Sequence, residues 1–152
     1  MKVDFYQLSA FPVEQVLPRI AERLVEERAR LLVVADHSAV LDRLDRALWS
    51  YRDDGFLPHA IAGQDVDAEQ PILLSAQMAT DAANGAANGA RNIALADGQW
   101  RDDALTFERV FFLFDEETVE GARTAWRALG DREDLERRFW RQDENGKWSR
   151  AA

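Results

Sequence analysis

Apolar positions along this chain follow two rhythms, and the change from one to the other predicts its elements. Residues 3–7 alternate apolar and polar, the pattern of a first strand. Val13, Val16, Leu17, Ile20, Ala21, Leu24 and Val25 then recur at helical spacing within residues 12–29, with Ser9 as a candidate cap and Pro18 as a point of kinking or restart. Residues 31–35 (LLVVA) form a continuous apolar run, as in a strand buried on both faces. Asp36 to Ser38 offer caps for a helix over residues 39–51. Residues 71–76 (PILLSA) read as a third strand. Residues 79–91, in which ANGA is written twice, read as a surface loop, because Asn-Gly favours turns and alanine buries little.

A short strand follows at residues 93–96 and a long one at 108–115 (ERVFFLFD). Residues 116–129 form a helix with acids in its first turn and Arg123 and Arg127 towards its end, the order the helix dipole favours. A charged coda over residues 131–152 contains Trp140 and Trp148, and its DENGK segment has the composition of a hairpin turn. Strands alternating with helices predict an α/β chain. The expected architecture is one Rossmann-like domain over residues 1–152, its sheet mostly parallel, with helices on both faces.

Composition narrows the function. Hydrophobic residues make up 47% and charged residues 31%, a globular balance. No apolar run approaches the roughly 20 residues that span a bilayer, and MKVDFYQLSA lacks the apolar core of a signal peptide. With no cysteine there are no disulfides and no thiolate metal sites, and a cytoplasmic location is expected. The net charge of −9 is uneven: residues 121–152 hold 8 of the 19 Lys/Arg but only 6 of the 28 Asp/Glu. So acidic a chain is repelled by phosphate backbones, and direct nucleic-acid binding is not expected. The basic end can still attract a small acidic ligand.

A Rossmann-like sheet raises the question of nucleotides. Neither LSAFPVEQ after the first strand nor DHSAVLDR after the second contains glycine, so neither forms a phosphate-cradling turn. No nucleotide-binding loop and no cofactor are expected. Asp36, His37 and Ser38 superficially resemble a hydrolytic set, but adjacent residues rarely face one another in triad geometry, and a capped turn accounts for them. A degenerate nucleotide-binding or hydrolase-like enzyme centred there is the alternative from another class. His59, after Pro58, reads as a structural histidine held by backbone, and two histidines without cysteine make no zinc site.

Two constellations have the chemistry of binding. Arg123 and Arg127 lie four apart on one helix face, with Trp126 beside them. Two guanidinium groups next to an indole suit a carboxylate joined to an apolar side chain, as at an acidic protein C-terminus ending in an aromatic. The competing reading pairs both arginines with nearby acids and puts Trp126 in the core. The second constellation is Trp49 with Phe56, bracketing a charged turn, and Tyr51 completing the patch; aromatics on a connecting segment suit a partner anchor. For Trp49 a place in the core competes equally. Phe139, Trp140 and Trp148 form a third cluster that stacks back on the domain in a role the residues leave open.

The block LDRLDRALWSYRDDGFLPHAIAG, the ERVFFLFDE strand and the helix Ala122-Arg123-x-x-Trp126-Arg127 together resemble the chi subunit family of the bacterial DNA polymerase III clamp-loader assembly. The resemblance implies a Rossmann-type domain that is not an enzyme but an adaptor in DNA replication. It implies two partners: the psi subunit of the clamp loader and the acidic C-terminal tail of single-stranded DNA-binding protein. Arg123, Trp126 and Arg127 match the positions that hold the tail. Phe56 and Trp49 match the region that docks psi, or a helicase competing for the same surface. The stretch between Pro71 and Ala96 and the sequence after Leu129 depart from the family pattern.

Overall fold

A computed structural model describes residues 1–51, 57–63, 67–78, 80–81 and 85–152. The chain runs β1 (Lys2–Gln7), α1 (Val13–Glu26), β2 (Leu31–Val34), α2 (Ser38–Trp49), β3 (His59–Ile61), β4 (Ile72–Ser75), β5 (Thr80–Asp81), β6 (Gly85–Ala86), β7 (Asn92–Leu95), β8 (Arg109–Phe114), α3 (Val119–Leu129), β9 (Glu136–Gln142) and β10 (Trp148–Arg150). Eight strands make one sheet in the order β10-β9-β1-β8-β7-β2-β4-β3, and β5 with β6 forms a separate two-stranded ribbon. Every pairing in the large sheet is parallel except β9 with β10. This is the expected mostly parallel, Rossmann-like α/β architecture.

The alternation of strand side chains divides the core in two. Leu31 and Val33 of β2, with Phe111 and Leu113 of β8, face the layer that holds α1 and α2. Leu32, Val34, Val110, Phe112 and Phe114 face the opposite layer, where α3 buries Ala122, Ala125 and Leu129. Helices therefore cover both faces, which is why β2, β4 and β8 read as unbroken apolar runs rather than as alternation. Both edge strands, β3 and β10, are only three residues long, which limits the unpaired backbone they offer.

Several local predictions differ from the structure, among them the cap expected at Asp36–Ser38, where the N-cap His37 makes no side-chain cap hydrogen bond. Ser9 does not cap α1, whose N-cap is Pro12. Its hydroxyl instead donates to the Gln142 carbonyl at 2.7 Å, while Gln142 Oε1 accepts the N–H groups of Ser9 and Phe11, so the loop after β1 is tied to the end of β9. β3 escapes the periodicity because three residues carry no period. The surface-loop reading of residues 79–91 fails at its C-terminal end, where Ala86, Asn88 and Ala90 are buried. The Asn88 amide donates to the carbonyls of Leu31 and Gln70, and its oxygen accepts from the Ala90 N–H. One buried asparagine thus fixes a segment whose composition looks featureless.

The charged coda contributes β9 and β10, joined by the anticipated hairpin. Asp143 accepts the N–H groups of Asn145 and Lys147 at 2.8 and 2.9 Å, and Gly146 takes the left-handed conformation (φ 83°) that closes the turn. Beside β9, strand β1 carries a fully buried carboxylate. Asp4 accepts from Arg109, from Arg138 at 2.7 Å and from the Trp140 indole N–H at 3.1 Å, which sews β8 and β9 to the β1 between them. This bond to Asp4 raises the Arg138 pKa above its usual range. No described helix is long and apolar enough to cross a membrane.

Candidate functional site

Helix α3 is short and amphipathic, and small residues bring it close to the sheet. Ala122 and Ala125 face inwards, which turns Arg123 and Arg127 to solvent and leaves Trp126 half-buried at the boundary. The neighbouring strand β9 alternates in turn: Arg137, Phe139 and Arg141 take the α3 side, and Arg138 and Trp140 the other. Arg123, Trp126, Arg127, Phe139 and Arg141 thereby line one concave pocket of about 210 Å³, with Gln7 of β1 at its edge. The three residues singled out from the sequence converge.

The indole of Trp126 is closely fixed. It meets Phe5 and Phe139 edge-on, with centroids 5.2 and 5.5 Å away, and the Arg137 guanidinium lies over it at 4.0 Å. Arg137 also donates to the Trp126 carbonyl. Trp126 is therefore both part of the core and part of the pocket wall, so the two readings of it are not exclusive. Arg123 has an ion pair, donating to Glu120 at 2.8 Å, but the side chains are 56% and 78% exposed. Such pairs contribute about 0–1 kcal/mol and exchange readily. Among the described residues, Arg127 forms no ion pair and no Asp or Glu side chain lines the pocket. The arrangement is suited to a carboxylate beside an apolar group.

Phe139, Arg137 and Arg141 were missed as members of this site. The signal was present as the period-two order Arg-x-Phe-x-Arg, which puts all three on one strand face. The charge of the coda obscured it, because a strand rich in arginine lacks the apolar run that marks the other strands.

The second constellation is only partly brought together. Trp49 ends α2 and is 54% exposed, lying against His59 with centroids 5.4 Å apart. His59 is buried and held between the Leu57 carbonyl at 2.6 Å and Asp45 at 2.8 Å, as expected of a structural histidine. Tyr51 packs partly buried against the α1 and α2 core instead of standing out on the surface. Phe56 lies outside the described residues. Asp36, His37 and Ser38 are exposed at the start of α2, and no hydrogen bond links their side chains.

Fold and pocket together define a class: a Rossmann-like α/β domain without glycine in the loops after β1 and β2, bearing a cationic, aromatic pocket between α3 and β9. A family model described as the DNA polymerase III chi subunit, HolC, matches residues 1–136, and the chain belongs to that family. A curated relative, DNA polymerase III subunit chi of Pseudomonas aeruginosa, is 37% identical over 76 residues, which cover 48% of this chain and 52% of the relative. The matched segment thus spans about half the length of that relative. The family match includes Arg123, Trp126 and Arg127 and stops before Phe139 and Arg141.

Proposed function

We propose that the chain is a non-catalytic adaptor in DNA replication that captures the acidic C-terminal tail of single-stranded DNA-binding protein in the pocket between α3 and β9. The convergence of Arg123, Trp126 and Arg127 with Phe139 and Arg141 carries this reading. Arg127 and Arg141 face the tail carboxylates, and the terminal aromatic ring packs against Trp126 and Phe139. The other partner, the psi subunit of the clamp loader, docks around Trp49 at the opposite end of the sheet, and a helicase competes for the same surface.

Geometry favours simultaneous engagement. Six strand spacings separate β9 from β3, about 29 Å at roughly 4.8 Å each, so neither partner obstructs the other. Each link can then be weak, because tethering raises the local concentration of polymerase machinery on coated template. The test is the affinity of a tail peptide ending in Asp-Phe, measured across salt concentrations. Binding that weakens steadily with salt and vanishes without the terminal Phe supports the reading. Salt-independent binding, or none at all, refutes it.

A further inference from the structure

The opposite face of the sheet carries a second pocket with the same kinds of residue. It lies between α1 and the strands β1, β8 and β10, and its volume is also about 210 Å³. Arg19 and Arg23, four apart on α1, stand at its rim as Arg123 and Arg127 stand at the first. Its wall is aromatic: the Tyr6 ring is stacked on Phe111 at 6.2 Å and meets Trp148 edge-on at 5.2 Å. Val16, Ile20 and Leu24 line the helix side.

Charge makes this pocket notable. Arg109, a further lining residue, is committed to Asp4. Arg19 and Arg23 are both exposed, and neither forms an ion pair with a described residue. The chain has 28 acidic residues against 19 basic ones, yet no described Asp or Glu lines the cavity. Burial, with the Asp4 carboxylate adding to it, pushes the Tyr6 phenol above 10.0, so it remains an O–H donor at neutral pH.

We propose that this pocket is a second, independent recognition site for an acidic peptide, with one aromatic or branched aliphatic side chain inserted between Tyr6, Trp148 and Ile20 and neighbouring carboxylates held by Arg19 and Arg23. Its dimensions favour a side chain over a nucleic-acid strand. A cavity of about 150 Å³ accepts a benzene ring, whereas single-stranded DNA needs successive stacking platforms along a continuous basic groove. The net charge of −9 also opposes a long polyanion more than a short acidic segment. Trp148 lies beyond the family-matched residues 1–136, so this site draws on a part of the chain that the family match does not include.

Fluorotryptophan NMR separates the two pockets, because Trp126 reports on one and Trp148 on the other. The probe is an aspartate-rich peptide ending in phenylalanine, titrated into the full chain, with Trp148→Phe and Trp126→Phe assigning the signals. Both resonances are expected to move, with different midpoints. The double change Arg19→Ala and Arg23→Ala should weaken the Trp148 response at least tenfold and leave that of Trp126 unaltered, whereas Arg127→Ala should do the reverse. A Trp148 signal that stays still while Trp126 moves overturns the second site alone. A Trp148 response unchanged by loss of Arg19 and Arg23 also overturns it, as does one produced by oligothymidylate and not by the peptide. A still Trp126 with a moving Trp148 overturns the pocket on α3 and leaves the second site standing.

Discussion

Two groups of arginines gather on opposite faces of this sheet, and they do opposite things. Arg109 and Arg138 converge on the fully buried Asp4, so their charges are spent inside the molecule. Arg123, Arg127 and Arg141 surround Trp126 and Phe139 with no described Asp or Glu in the lining, so theirs remain directed outwards. Each group combines arginine with tryptophan, and composition alone does not tell them apart. The difference arises from the pleat: Arg138 and Trp140 of β9 point to one face, and Phe139 and Arg141 to the other. One alternating strand supplies both a structural knot and a recognition surface.

The largest expected effect falls on the knot. Asp4→Ala leaves two guanidinium groups facing a buried void and should cost about 3–5 kcal/mol of stability, measured by urea unfolding. If that change costs less than about 1 kcal/mol, the knot is not what joins β8 and β9 to β1. On the pocket side, Arg127→Ala should weaken tail-peptide binding about tenfold or more without moving the unfolding midpoint, because a charge-assisted contact contributes about 1.5–3 kcal/mol. Arg127 gives a cleaner test than Trp126, whose removal would also strip contacts from Phe5 and Phe139.

A carboxylate in the loop after β7 gives a smaller effect with a defined pH dependence. Burial alone would raise the Asp97 pKa. The bonds from Arg101 and from the Asp36 N–H outweigh burial and hold it below 3.8. A depressed folded-state value contributes stability that is present above the unfolded pKa and is lost as pH falls through the folded one. Asp97→Asn should therefore cost about 1–2 kcal/mol near pH 7, and the difference from wild type should shrink in acid. A difference that persists unchanged in acid would assign the loss to packing. The smallest effect belongs to Glu120→Gln: releasing Arg123 from its exposed pair should tighten peptide binding about twofold, in keeping with the few tenths of a kcal/mol such a pair contributes.

Much of this was legible because the long elements declare themselves. The apolar runs of β2, β4 and β8 and the helical spacing in α1 and α2 gave the layers, and Arg123, Trp126 and Arg127 gave half of the pocket. The remainder depended on contacts between distant parts of the chain. Asn88 is buried only because the carbonyls of Leu31 and Gln70 lie beside it. Phe139 and Arg141 face α3 only because β9 joins the sheet next to β1. Tyr51 looked like part of an exposed patch, but it packs on the α1 and α2 core, a placement set by tertiary packing rather than by local pattern.

The central claim is that Arg127 and its neighbours hold an acidic tail by its carboxylates and its terminal ring. Calorimetric titration of wild type and Arg127→Ala with the tail peptide, with and without its final Phe, addresses that claim directly. The account predicts measurable binding that falls about tenfold or more when Arg127 is removed and is lost when the Phe is removed. Equal affinity for wild type and Arg127→Ala, or binding that survives removal of the Phe, would contradict it.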